Sequence, residues 1–253
     1  KLTGSLTAGA VAQDSGTLVI EGATIEGAVS NEASVEFNGG TIKGAFSNNS
    51  SVKMANGTLT GALNNTSEFE MTGGSLTGNV ENNGAFTMKG GAFTPAESAA
   101  FANKGSFNYY SGNIGSNIAN DGGTFNNYGT LETVAVSGGT LNNTEGATIG
   151  SSFTVDTFTN DGNIALLTNE DGSLKKMSVG TASLKKGRFV AALSAVSAYN
   201  DEQTYTVLKA SSSLTIGANF ESTVRLVGLV NGEMTKDGNN LNMKISYLSM
   251  GDS

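Results

Sequence analysis

Residues 34–50 read SVEFNGGTIKGAFSNNS, residues 51–67 read SVKMANGTLTGALNNTS and residues 68–84 read EFEMTGGSLTGNVENNG, one pattern written three times with a period of 17 residues. Aligned in columns, the second and fourth places are apolar (Val35 and Phe37, Val52 and Met54, Phe69 and Met71), with surface-type residues between them. Alternation of this kind marks a strand with one buried face. A Gly-rich corner follows (Gly39-Gly40, Asn56-Gly57, Gly73-Gly74), then an apolar ninth place (Ile42, Leu59, Leu76) and a further glycine (Gly44, Gly61, Gly78). The thirteenth place is apolar again (Phe46, Leu63, Val80), and two residues on stands an asparagine (Asn48, Asn65, Asn82). One such turn cannot bury its own hydrophobic face, so identical turns must stack. The sequence therefore specifies an all-β fold, a parallel β-helix or β-solenoid with about 17 residues per turn.

Working outward, the frame extends in both directions. Gly9-Ala10-Val11 and Gln13 anticipate Gly27-Ala28-Val29 and Asn31, so coiling begins almost at residue 1, and its uncapped first rung is expected to be either a cut end or an adhesive one. The fifth turn carries Phe86, Met88, Gly90-Gly91 and Phe93, then an insertion over residues 95–104 in which Pro95 and the following alanines predict a short helix. Phe101 and Asn103 rejoin the frame, and a sixth turn follows with Phe107, Tyr109, Ile114, Ile118 and Asn120. In that turn Tyr109 suits the core and Tyr110 should point outward. After a register break near Gly122-Gly123 the apolar-x-Asn pair returns as Phe125 and Asn127, Leu141 and Asn143, and Phe158 and Asn160.

Two domains are expected: solenoid repeats over residues 1–167 and a capping region over residues 168–253. In the latter, Phe189, Ala192, Leu193 and Val196 fall at helical spacing, which favours a short helix although a buried strand fits the same residues. Beyond it, TYTVLKA, SLTIGANF, VRLVGLV and LNMKISYLSM read as strands with turns at Asn231-Gly232 and Asp237-Gly238, a small β-rich cap closing the C-terminal end.

Composition narrows the chemistry. Thirty-five glycines and one proline fit a chain that turns repeated corners, and a charged fraction of 14% leaves few ionic groups. The net charge of -8, with arginine only at Arg188 and Arg225, gives no electrostatic basis for a nucleic-acid groove. No apolar run approaches the ~20 residues of a membrane-spanning helix. Cysteine and histidine are both absent, which removes disulfides, thiolate and imidazole metal sites, and triads built on histidine. Asp121, Asp156 and Asp161 are dispersed, Glu170-Asp171 and Asp201-Glu202 lie in expected loops, and no calcium-loop spacing occurs. No catalytic residue, cofactor or metal site is assigned, and the chain is read as a non-enzyme.

The recurring asparagines Asn31, Asn48, Asn65, Asn82, Asn103, Asn120, Asn127, Asn143 and Asn160 are expected to form a structural ladder of stacked amides. Outward places alternate in sign: Glu36, Lys53 and Glu70 share a column and Glu26 faces Lys43, so neighbouring rungs about 4.8 Å apart avoid repulsion. Thr58, Thr60, Thr77 and Thr94 form a partial outward rank that would suit ordered water or ice, interrupted by Glu26 and Lys43. The local candidate for recognition is the protruding insertion with its neighbours Pro95, Glu97, Lys104 and Tyr110.

Gly-Thr-Leu-Asn-Asn-x-x-Gly at residues 139–146 and Phe-x-Asn-x-Gly at residues 158–162 resemble the repeats of bacterial autotransporter passenger domains. The tail resembles the strands that close many such passengers, with Tyr205, Leu208 and Ala210, then Gly217 and Phe220, then Gly238 and Leu241. The resemblance implies a right-handed parallel β-helix displayed extracellularly or on the bacterial outer cell surface, as a passenger fragment or secreted relative without the following membrane barrel. The expected function is adhesion or homotypic self-association, with itself (head-to-tail or lateral) or a host or cell-surface ligand as partner. The alternative is a polysaccharide-binding or polysaccharide-active β-helix protein.

Overall fold

The computed structural model describes residues 1–4, 7–96, 100–191, 204–227 and 230–247, and among them every regular element is a β-strand. The chain is a parallel β-solenoid that divides into two compact units, residues 1–126 and 127–253.

In the first unit each turn contributes three short strands, for example Glu68–Met71, Ser75–Leu76 and Val80–Asn82. In the turns before it the first two strands are continuous, as in Ser34–Ile42 and Ser51–Leu59, bent by a register break at the Gly-rich corner. Every strand lies parallel to its equivalent in the next turn. Val35 pairs with Val52, Val52 with Phe69, Phe69 with Phe86 and Phe86 with Phe107. The ninth-place column runs Ile25, Ile42, Leu59, Leu76, Phe93, Ile114, and the thirteenth-place column Val29, Phe46, Leu63, Val80, Phe101, Ile118. All of these side chains are buried. The core is therefore a set of continuous apolar columns, each residue covered by its own equivalents above and below. Aromatic rings thicken it: Phe69 and Phe86 stack at 5.1 Å, Phe86 and Phe107 meet edge-on at 5.2 Å, and Phe101 stacks on Phe107 at 4.7 Å.

Two glycine columns set how closely turns approach. At the corner, Gly74 has φ of 79°, and a Cβ there would stand 2.6 Å from the Met54 Cε of the preceding turn. At the eleventh place the constraint is backbone against backbone, because a Cβ on Gly61 would run into the Gly44 carbonyl oxygen. The sequence keeps glycine in both columns because any side chain would push the turns apart.

The insertion leaves the frame after Ala92–Phe93 and returns at Phe101–Asn103, a strand registered on Val80–Asn82. Phe101 and Asn103 thus rejoin the frame as expected, Phe101 filling the thirteenth-place column; residues 97–99 of the expected helix lie outside the described residues.

In the second unit the parallel ladder runs past the expected boundary at Leu167. Met177–Ala191 lies parallel to Phe153–Asn160 and Asn163–Leu166, and Thr204–Glu221 lies parallel to Met177–Ala191. Residues 167–176 form an irregular excursion closed by an antiparallel Thr168–Leu174 bridge, after which coiling resumes. Phe189, expected in a helix, sits in this parallel strand opposite Ile164, buried against Phe220 at 5.6 Å. Ala192, Leu193 and Val196 lie outside the described residues.

TYTVLKA and SLTIGANF, expected as separate strands, form one strand, Thr204–Glu221, whose three serines absorb a register shift instead of a turn. The cap is antiparallel. Asn240–Tyr247 pairs with residues 204–209 on one side and Val230–Asp237 on the other. Asp237-Gly238 makes the expected turn, with Gly238 at φ 57°. Asn231-Gly232, expected as a turn, lies inside Val230–Asp237, where Gly232 is hemmed in by Met243 and Val224 side chains.

Candidate functional site

The thirteenth-to-fifteenth-place strand positions the asparagines. Its alternation turns the thirteenth and fifteenth side chains inward, so each amide enters the core beside an apolar neighbour. Asn31, Asn48, Asn65, Asn82, Asn103 and Asn120 are fully buried in the first unit, as are Asn127, Asn143 and Asn160 in the second. The Nδ2 of Asn31 donates to Asn48 Oδ1 at 2.7 Å, and Asn48 to Asn65, Asn65 to Asn82, Asn82 to Asn103 and Asn103 to Asn120 at the same distance. In the second unit Asn127 donates to Asn143 at 2.8 Å and Asn143 to Asn160 at 2.7 Å.

Each amide also closes its own corner. Asn48 Nδ2 donates to the carbonyls of Ser50 and Glu68, while its Oδ1 accepts from Ser50 N–H. A buried amide with all its polar atoms engaged fixes both the turn and the spacing of turns, and leaves nothing to offer a ligand. At the far end Asn160 donates to Gly162 and Lys186 carbonyls, because its register partner is Leu184.

Outside, Glu36, Lys53 and Glu70 stand in register in one column, and Lys43 Nζ lies 2.8 Å from Glu26 as expected. Glu70 is paired with Lys89 at 2.7 Å, and Lys104 lies 2.9 Å from Glu81, all on open surface. The hydrogen bond with Lys104 holds the Glu81 carboxyl below the usual carboxylate range and raises the Lys104 ammonium. A further outward column was not singled out in the sequence: Asn49 donates to Glu32 at 2.6 Å and accepts from Thr66 Oγ1 at 2.8 Å. Its signal was available in the polar sixteenth place of each repeat.

The insertion candidates do not converge. Pro95 is half-buried, Lys104 is paired with Glu81, Tyr110 is 44% exposed on the first-strand side of the turn, and Glu97 lies outside the described residues. Tyr109 turns inward at 4% exposure and donates its hydroxyl to Gly112 O at 2.8 Å. Of the threonine rank, Thr58 lies beside Thr41 and Ser75, while Thr60, Thr77 and Thr94 each donate a backbone N–H to the preceding turn, at Ile42 O, Leu59 O and Leu76 O.

The carboxylates serve local structure. Asp156 Oδ2 accepts Gly139 N–H at 2.9 Å, and Asp171 Oδ1 accepts both Ser173 N–H and Ser173 Oγ–H. Among the described residues, no group of three or more Asp or Glu side chains stands together to hold a metal ion. No described helix is long and apolar enough to cross a membrane.

Among the concave surfaces of the described residues is one lateral groove in each unit. In the first unit a groove of about 410 Å³ runs along the thirteenth-place strands, floored by Ala45, Ala62, Ala100 and Ala102 with Ser47, Asn64, Asn79 and Glu81. Sequence reading passed over it because alanine at the twelfth place carries no chemistry and Asn79 and Glu81 interrupt the run of small residues at the twelfth and fourteenth places. In the second unit a groove of about 510 Å³ is lined by Asn142, Thr144, Glu145, Thr159, Asp161 and Lys185. Neither holds a constellation of acid, base and nucleophile. Comparison with protein-family models, curated proteins and solved structures gave no match to this chain.

Proposed function

We propose that this chain is a non-catalytic surface scaffold of the autotransporter-passenger kind, working outside the cell through adhesion or homotypic self-association. The observation that carries the reading is the shallow groove over Ala45, Ala62, Ala100 and Ala102, a lateral face of mostly small side chains in which the charged Glu81 is paired with Lys104. Small side chains at Ala45, Ala62, Ala100 and Ala102 let a second solenoid approach closely on either side of the rung that carries Asn79 and Glu81. The buried amides support the reading in another way, since within each unit they tie successive turns together while using none of the outer surface.

Light scattering over a concentration series, with negative-stain microscopy of the same samples, tests this. Association that rises with concentration and is lost in Ala62→Lys is the expected result. A wild-type chain that stays monomeric at high concentration, and does not adhere to cells, would overturn it.

The polar groove in the second unit favours one other reading. Amides, hydroxyls and both signs of charge at Asn142, Thr144, Thr159, Asp161 and Lys185 are the groups that pair with sugar hydroxyls, so polysaccharide binding is the second proposal. Retention on immobilised polysaccharide that Asp161→Ala abolishes would support it over self-association.

A further inference from the structure

We infer that Asn56-Gly57 is a self-modifying site, at which the fold selectively promotes conversion of Asn56 to aspartate or isoaspartate. Asn-Gly occurs at Asn38, Asn56, Asn83 and Asn231, and the fold treats the four pairs differently. Gly39 is registered against Glu21 of the preceding turn. Gly84 gives its N–H to the Asn65 carbonyl at 3.1 Å, and Gly232 is registered between Val224 and Ile245. Gly57 falls in the register break between the Asn38–Asn56 and Thr41–Thr58 pairs, and its N–H points to Asn56 Oδ1 at 2.8 Å. The backbone nitrogen that must attack is therefore held against the side-chain carbonyl it must attack, and Asn56 is exposed to water.

The chemistry needs only water and base. Gly57 N loses its proton and bonds to Asn56 Cγ; the Cγ–Nδ2 bond breaks, and Nδ2 leaves as ammonia after taking up a proton. Water then adds to one carbonyl of the resulting succinimide and reopens the ring. Opening on one side gives aspartate; opening on the other gives isoaspartate, which adds a backbone atom to the chain. That atom would enter at a tight corner, where a Cβ on Gly57 would already stand 2.7 Å from the Phe37 ring and 2.9 Å from the Gly40 carbonyl. Ageing at Asn56 thus loosens one corner of the stack and adds a carboxylate to its surface.

The test is peptide mapping by mass spectrometry of the whole folded chain kept in mildly alkaline buffer, with a parallel sample in urea. Folded protein should convert Asn56 about tenfold or more faster than Asn83, and the two rates should draw together in urea, where only local sequence acts. Asn56→Gln should abolish the fast event while Asn83→Gln leaves it intact. Equal rates in the folded chain, or a ratio unchanged by urea, would overturn the inference.

Discussion

Replacing Asn65 with alanine should be among the costliest single truncations of a polar side chain in the first unit. Its Nδ2 donates to Asn82 Oδ1 at 2.7 Å, to Ser67 O at 3.0 Å and to Ala85 O at 3.2 Å, and its Oδ1 accepts from Asn48 at 2.7 Å. Truncation leaves Asn82 Oδ1 without its ladder donor and Asn48 Nδ2 without its ladder acceptor, both fully buried. At about 1–3 kcal/mol for each buried group deprived of a partner, the two together give about 4 kcal/mol, before any loss at the two carbonyls. In a chain of this size that lowers the melting temperature by about 10 °C. Thermal melts followed by circular dichroism measure it, and Asn64→Ala is the control. Asn64 is the preceding residue of the same strand but faces solvent, so its loss should stay within about 0.5 kcal/mol. If Asn65→Ala proved no worse than Asn64→Ala, the argument that the ladder holds the turns together would be refuted.

Two other outcomes follow from the same geometry. Gly61→Ala should destabilise by about 2–4 kcal/mol, because its Cβ would meet the Gly44 carbonyl, whereas Gly9→Ala in the same column, with open space around its Cβ, should be close to neutral; denaturant titration separates them. Burial pushes the Tyr109 phenol above its ordinary value of 10.0, so the folded state holds this proton more tightly than the unfolded chain. The resulting stability is complete below that ordinary value and is lost as pH rises towards the folded value. Tyr109→Phe should therefore flatten alkaline unfolding and, by deleting the bond to Gly112 O, cost about 1 kcal/mol at neutral pH; a pH series of melts reads both.

The coiling was legible because a parallel stack asks every turn for the same thing in the same place. Val35, Val52 and Phe69 had to be apolar in one column, and Asn48, Asn65 and Asn82 had to be amides in another, so the period appears in the letters themselves. Lys43 against Glu26 was legible for the same reason. The groove over Ala45 and Ala62 was not, since a site made of absent side chains leaves no motif. Nor was the selectivity among the Asn-Gly pairs, which depends on where each glycine N–H points.

The region after Leu167 shows where this kind of reading stops. Asn143 and Asn160 are register partners, and the same period would carry Asn160 to Met177; the excursion at residues 167–176 instead brings Leu184 to that place. Backbone ladders are indifferent to such a change, since they require only parallel strands, and Val179, Ala182 and Leu184 keep the inward side apolar. An amide at Leu184 would continue the ladder, but its next register partner is Ile216, which is exposed and apolar, so that amide would have no side-chain acceptor beyond it. Leucine ends the series without orphaning a polar group. The repeat therefore disappears from the sequence at the point where the amide ladder can no longer be continued, while the coil beneath it goes on.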